Sequence, residues 1–232
     1  MHRLLLLLLV LAAPLRAGEV QGHGYQFEKW VRDTFFDGYQ GQYTQEWDIA
    51  KEANKKYGGV PVSVKFTKYG SSVDLSDALR QFSIDEKFML VIGYWKQEGN
   101  RKRIVHLIAP VVTPEQWQKL FAPITKGDLQ TLDDTVKNRE MTPQQASLAA
   151  AKIKRAPPFT EAAMTMNPKI DTKGQRRLQC SLRFDLVFKY LVPGVDPAPQ
   201  EKPVLFGAPA PPPFVSGPRE FKKDDKKDSG PV

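Results

Sequence analysis

The chain of 232 residues is 41% hydrophobic and 26% charged, a globular composition that excludes a wholly disordered chain, a coiled coil and a collagen. Its 34 Lys and Arg residues exceed its 26 Asp and Glu residues, and the formal net charge of +8 makes a polyanion a partner to consider. A single cysteine, Cys180, excludes an intramolecular disulfide framework and a CxxC zinc site.

The first residues combine a basic start with a short apolar run. Met1-His2-Arg3 precedes the apolar residues 4–13, and Ala17 offers a small-residue cleavage point. This pattern is typical of a secretory signal peptide, so we expect residues 1–17 to be removed and the protein to be exported to the periplasm or secreted. An uncleaved start, which would leave the protein in the cytoplasm, is the alternative. No stretch has the roughly 18 apolar residues of a transmembrane helix, so no membrane anchor is predicted.

A helix and a strand are predicted next. Apolar residues at helical spacing predict a helix over residues 25–36, with Glu28 beside its apolar stripe. After a glycine-marked loop, residues 43–49 read as a short strand that has Asp48 near its end. A polar, lysine-rich connection then leads to the next element.

Alternating and helical patterns follow in turn. Strict alternation predicts a strand over residues 60–67, so Ser63 and Lys65 share one face. Leu75, Leu79 and Phe82 then recur at helical spacing. They predict a helix of two or three turns with Ser72 or Asp74 as its N-cap.

The second half of the chain continues this alternation of elements. The apolar run over residues 88–95 predicts a buried central strand, and residues 104–112 predict another. Residues 114–121 and 143–154 begin with proline and fit helices. Alternating apolar residues predict one long strand over 178–188.

A proline-rich tail is predicted after residue 192. Residues 193–232 contain ten of the 19 prolines and end in a charge run, a composition typical of a flexible, disordered segment. Its six basic and six acidic residues cancel, so the net positive charge lies in the predicted folded domain, residues 18–192.

Residues 24–112 resemble the PD-(D/E)XK nuclease superfamily, which has the restriction-endonuclease-like fold. The resemblance rests on Glu28 in a first helix, Asp48 ending a strand and Lys65 two residues after Ser63 in the next strand. It implies an α/β fold with a mixed central sheet flanked by helices, here extended by a C-terminal strand. It also implies a nuclease, so we expect a metal-dependent phosphodiester hydrolase, and specifically a DNA endonuclease.

The implied chemistry needs carboxylates and a lysine together. Carboxylates hold Mg²⁺ or Mn²⁺, which polarises the phosphate and lowers the pKa of a bound water, while a lysine stabilises negative charge. Asp48 and Lys65 would form the core of this site, and Glu28 would orient water or accept a second ion. Alternatively, Asp48 is a turn cap and Lys65 a solvated surface residue.

Ser63 departs from the family pattern, which usually has Asp or Glu at this position. The predicted helix offers a replacement carboxylate in Asp77, our first choice, or in Asp74. The predicted metal ligands are therefore Asp48, Asp77 and Asp74, with Asp77 counted among the catalytic residues. Both helix acids could equally be ordinary first-turn residues that complement the helix dipole.

A basic stretch near the end of the predicted domain suggests a nucleic-acid contact. It begins as a hairpin-like sequence with a turn signal at residues 171–174, and its cations could neutralise phosphates while its amides reach base edges. A solvated strand face is the alternative. The candidate nucleic-acid-binding residues are Lys169, Lys173, Arg176, Arg177, Gln179 and Arg183.

Two alternatives to an active nuclease stay open on the sequence. One is a catalytically inactive nuclease-like protein that binds nucleic acid, with Ser63 marking a lost metal site. The other is an exported interaction module whose basic face binds an acidic partner, which the signal peptide favours. The sequence leaves the oligomeric state open, a homodimer included.

Overall fold

A computed structural model describes residues 19–41, 46–172 and 174–215, with side chains from residue 24 onward. The predicted signal peptide, residues 1–17, lies outside the described residues. Within these residues the protein is an α/β structure with mixed sheets flanked by helices, so the coarse prediction of an α/β fold is confirmed. None of the described helices is long and apolar enough to cross a membrane.

The elements of the first half surround the predicted central strand. They are α1 (Glu19–Phe35), β1 (Val62–Lys68), β2 (Val73–Asp77), α2 (Ala78–Phe82), β3 (Phe88–Glu98), β4 (Arg101–Ile108) and β5 (Val111–Val112).

Helices dominate the second half. Its elements are α3 (Pro114–Phe121), α4 (Lys126–Lys137), α5 (Pro143–Lys154), β6 (Met164–Ile170), β7 (Arg176–Leu182), α6 (Phe184–Tyr190), β8 (Val204–Leu205) and β9 (Ala208–Pro209). The predicted helices over 25–36, 114–121 and 143–154 are confirmed as α1, α3 and α5.

Strand β3 is the centre of the first sheet. It pairs in parallel with β1 and antiparallel with β4 and β5. Because it has neighbours on both sides and is covered on both faces, its residues form a continuous apolar run rather than an alternation. Gly93 lets α1 approach closely, since a Cβ there would lie 2.6 Å from the Phe27 ring.

The two faces of this sheet pack in different cores. Phe27 and Val31 of α1 pack with Val62 and Val64 of β1 on one face. On the other face of the sheet, Leu90 and Ile92 of β3 pack with the second sheet and with α3 to α6. Their partners in β1 are Ser63 and Lys65. Ser63 and Lys65 therefore point toward the second sheet.

The second sheet has the order β2-β7-β6. The predicted hairpin is confirmed, because β6 and β7 pair antiparallel and Gln175 N donates to the Asp171 carboxylate across the turn. The predicted long strand over 178–188 is wrong beyond Leu182, since α6 begins at Phe184. Val187 and Phe188 are both buried, which successive residues of a one-faced strand cannot be.

The helix predicted from residue 72 or 74 is wrong over its first part. Val73–Asp77 is a strand that pairs with β7, and only Ala78–Phe82 is helical. Asp77, rather than Asp74, is the N-cap, and its Oδ1 accepts from Arg80 N at 2.8 Å. The spacing of Val73 and Leu75 fits both a helix and a strand. The strand that decides between them, β7, lies about a hundred residues further along the chain.

The predicted boundary of the folded domain at residue 192 moves to at least residue 215. Residues 193–215, here called the C-terminal strap, pack on the domain, and residues 216–232 lie outside the described residues. Phe214 exchanges two backbone hydrogen bonds with Lys102 of β4, and Leu205 is buried beside α1. The fully buried His106 contacts the Asp196 carbonyl through Nε2 at 2.9 Å.

Candidate functional site at the edge of strand β1

The Asp48 carboxylate takes the place of a strand partner for β1. Ile49 and Val62 exchange two backbone hydrogen bonds, and a continued ladder would next bring a carbonyl to Val64 N. Instead, Asp48 Oδ2 accepts from Val64 N at 2.7 Å. A strand-edge amide therefore fixes the carboxylate at one end of the site.

Ser63 and Lys65 converge on the same oxygen. Ser63 Oγ donates to Asp48 Oδ2 at 3.3 Å, and Lys65 Nζ lies 3.9 Å from it. The side chains of Lys65 and Asp48 are 20% and 32% exposed, so the pair is reached from solvent at the rim of the two sheets. All three of these contacts use Oδ2 of the Asp48 carboxylate. The structure thus brings together three of the residues that carry the resemblance.

The β2 acids and Lys65 both act on the pKa of the buried Cys180. Burial raises the pKa of its thiol, the charges of Asp74 and Asp77 raise it further, and the charge of Lys65 lowers it. In the β2–β7 pair, Asp74 and Asp77 lie opposite Ser181 and Gln179, the two neighbours of Cys180. The segment that carries both acids is a strand rather than the predicted helix.

Both β2 acids also have local structural contacts. Asp77 Oδ1 caps α2, as described above, and Asp74 Oδ1 accepts from Ser76 N at 2.8 Å. Asp77 further contributes to raising the pKa of Lys137, behind the larger effect of the hydrogen bond from Lys137 to Asp133. Each β2 carboxylate thus has one oxygen engaged by a backbone amide.

Glu28 comes from the other side of β1. It lies in α1, where Arg32 Nη1 donates to its Oε1 at 3.0 Å. This helix packs on the Val64 face, whereas Lys65 points to the opposite face. The structure therefore does not place Glu28 on the Lys65 side of the sheet.

No group of three or more His, Cys, Asp or Glu residues that could hold a metal ion occurs in the described part of the chain. Mg²⁺ is often bound by only one or two carboxylates and completed by water and substrate phosphate. The carboxylates of Asp48 and Asp77 each carry the hard oxygen atoms that this ion prefers.

Arg176 belongs to the structure rather than to a free binding surface. Its guanidinium donates to the carbonyl oxygens of Val136, Asn138 and Met141 at 2.8–3.3 Å. The Val136 carbonyl belongs to the last turn of α4 and the other two follow the helix, so all three have no helical donor and the arginine satisfies them. The assignment of Arg176 to phosphate binding is corrected accordingly.

The other candidate binding residues differ in their surroundings. Lys169 and Arg177 are exposed and lie directly opposite each other in the β6–β7 pair. Gln179 is half-buried on the same face, and Arg183 pairs with Asp185 at 2.6 Å. Lys173 lies outside the described residues. An exposed polar face therefore remains, with a smaller set of available cations than the sequence suggests.

Two elements around this face were incompletely predicted, since the sequence located only the hairpin end of β6 and missed α4. Strand β6 contributes Asn167, whose Nδ2 donates to Ser181 Oγ at 2.8 Å. Helix α4 contributes the carbonyls that engage Arg176 and begins with a capping box between Thr125 and Asp128. That Thr-x-x-Asp spacing was the available sequence signal for α4.

Comparisons of the chain with protein-family models, with curated proteins and with solved structures find no match.

Proposed function

We propose that the protein is a metal-dependent phosphodiester hydrolase of the restriction-endonuclease-like class that acts on nucleic acid, with DNA endonuclease activity as the specific form. The observation that carries the proposal is the Asp48–Lys65 pair, with 3.9 Å between Oδ2 and Nζ, at a solvent-accessible sheet edge. A carboxylate and an ammonium group side by side can bind a cation and a phosphate in one place.

The roles of the residues follow from their positions. Asp48 is held by Val64 N, so its carboxylate keeps a fixed direction when substrate arrives. Lys65 supplies a positive charge next to it and would stabilise negative charge on a phosphate oxygen. Ser63 orients the carboxylate through its hydroxyl. When bound there, Mg²⁺ or Mn²⁺ would polarise the phosphate and lower the pKa of a water, with Asp48 as a ligand and Asp77 or Asp74 as the second carboxylate.

A second candidate function is nucleic-acid binding without hydrolysis. The observation that favours it is the engagement of Asp48 Oδ2 and Asp77 Oδ1 by backbone amides, which gives both carboxylates a structural reason to be present. In that case the exposed Lys169 and Arg177 would bind phosphates and Ser63 would mark a lost ligand.

Cleavage of supercoiled plasmid by the purified full chain separates the two functions. The hydrolase proposal expects nicked and linear products with Mg²⁺ or Mn²⁺ and none with a chelator. Retention of plasmid in a gel-shift assay without any product in either metal supports binding without hydrolysis. Cleavage that persists in the chelator contradicts the metal-dependent mechanism.

A further inference from the structure

The connection between Ile49 and β1 is an exposed basic loop beside the candidate site. It covers residues 50–61 and is here called the lysine loop. Ile49 N donates to Val62 O at 3.1 Å and Val62 N donates to Ile49 O at 2.9 Å, so the two ends of the loop are joined. Asp48 and Ser63 lie immediately outside this closure, one on each chain segment.

A buried asparagine fixes the conformation of the lysine loop. Asn54 is fully buried, and its Nδ2 donates to the carbonyl oxygens of Val60 at 2.7 Å and Tyr57 at 3.3 Å. Its Oδ1 accepts from Tyr57 N at 3.1 Å, and its carbonyl accepts from Gly59 N at 2.8 Å. The loop is therefore ordered by its own contacts.

Aromatic contacts attach the lysine loop to the rest of the protein. The Tyr57 ring stacks on Phe206 of the C-terminal strap, with ring centroids 4.2 Å apart. It also meets Phe35 and Phe36 at the end of α1 edge-on, at 6.0 and 5.7 Å. Because the backbone is held in this way, binding a ligand would cost little ordering of the loop.

Three lysines project from this ordered loop. Lys51, Lys55 and Lys56 are exposed, and none of them forms an ion pair with a carboxylate in the described residues. Asp37 and Glu52 line a cleft together with Lys55 and Lys56. The three lysines outnumber these two acids, so the net charge of the group is positive. Lys51 follows Asp48 by three residues, which limits their Cα separation to about 10 Å.

We propose that the lysine loop binds the phosphate backbone of the nucleic-acid strand on which Asp48 and Lys65 act. The proposal rests on the proposed nucleic-acid function and adds a second, preorganised contact to it. Exposed cations in a loop that begins two residues after Asp48 would attract a polyanion toward the site. The two chain segments that close the loop carry Asp48 and Ser63, so the loop begins and ends beside the site.

The test measures binding of the full chain to a fluorescein-labelled 20-base-pair duplex by anisotropy over a salt series, with chelator present so that no substrate is cut. The variant replaces Lys51, Lys55 and Lys56 together with glutamine. Each lost phosphate contact reduces the dependence of log affinity on log salt by about 0.9, so the slope should fall by up to about 2.7. Circular dichroism and thermal unfolding check that this variant folds like the wild type.

Two control variants isolate the position and the charge. Arginine at the same three positions should keep the wild-type slope. Glutamine at Lys119, Lys126 and Lys152, which are exposed on the helices of the other core, removes the same charge and should change the slope far less.

A folded Lys51/Lys55/Lys56 glutamine variant that keeps the wild-type salt slope overturns the proposal. A helix control whose salt slope falls as much as that of the loop variant also overturns it. Wild-type protein that does not bind the duplex at low salt also overturns it. Wild-type protein that binds through the loop but cuts no plasmid with Mg²⁺ or Mn²⁺ contradicts only the hydrolase proposal, so the two failures are distinguishable.

Discussion

The β1 edge and the β6–β7 hairpin both looked functional in the sequence, but the structure uses their charges differently. At the β1 edge, two side chains and a backbone amide of residues 63–65 converge on one carboxylate oxygen of Asp48. In the hairpin, neighbouring arginines point to opposite faces, so Arg176 binds the carbonyls after α4 while Arg177 is exposed. The direction of each side chain, rather than the number of charges in a segment, decides which of them can meet a ligand.

The largest effect should come from the β1 edge. Asp48→Asn and Lys65→Met should each lower plasmid cleavage at least about 100-fold, because charge beside the phosphate is lost. The asparagine keeps an oxygen for Val64 N, so its unfolding temperature should stay near that of the wild type. Initial rates of nicking measure the effect, and Asp85→Asn and Lys87→Met are exposed controls. If the Asp48 and Lys65 variants are as active as these controls, the β1 edge does not take part in cleavage.

Arg176 and Arg177 provide the sharpest contrast within the hairpin. Arg176→Gln should lower the free energy of unfolding by about 2 to 4 kcal/mol, since it leaves carbonyls after α4 without a charged donor. Arg177→Gln should change it by less than about 0.5 kcal/mol, as expected for an exposed side chain. Urea unfolding followed by tryptophan fluorescence gives both values. Equal losses in the two variants would mean that the side-chain directions are misassigned.

Asp77 allows the cap and the proposed metal ligand to be separated. Asp77→Ala should cost about 1 kcal/mol of stability by removing the N-cap of α2, whereas Asp77→Asn keeps the cap at almost no cost. If Asp77 supplies the second carboxylate, both variants should cleave plasmid more slowly than Asp85→Asn does. Full activity in a stable Asp77→Asn variant would leave Asp77 with the cap alone and make Asp74 the next acid to test.

The smallest expected effect concerns the exposed cations of the hairpin. Lys169 and Arg177 are like charges directly opposite each other, which slightly destabilises the strand pair. Replacing both with glutamine should leave stability unchanged or raise it slightly, and should flatten the salt dependence of duplex binding by up to about 1.8. An unchanged salt dependence would indicate that the hairpin face does not contact nucleic acid.

The sequence predicted elements well where local patterns had one interpretation. The prolines at 114 and 143 marked the first turns of α3 and α5, and strict alternation located β1 with Ser63 and Lys65 on one face. It failed where a pattern fitted two structures, as at residues 73–77, because the partner strand β7 was not visible locally. The nuclease assignment and the roles of the site residues remain predictions.

Arg176 shows a second limit of sequence reasoning. Its alternation with Arg177 was readable, but the carbonyls that it binds lie at and just after the C-terminal end of α4, which the sequence analysis missed. The Asp48–Lys65 pair was expected from the resemblance, whereas the hydrogen bond from Val64 N to Asp48 depends on the exact end of the Ile49–Val62 pairing. Such contacts depend on the packing of distant segments, which residue types alone do not determine.

The C-terminal strap has a consequence for synthesis of the chain. Its contacts with β4 and α1 join positions as far apart as Gln26 and Val215, separated by 189 residues. After β4 has been synthesised, about a hundred further residues must be added before Phe214 can cover its edge, which takes about 5 to 20 s of translation. During that interval the open edge could pair with another chain, so ribosome-bound intermediates that end before the strap should be the most aggregation-prone species of this protein.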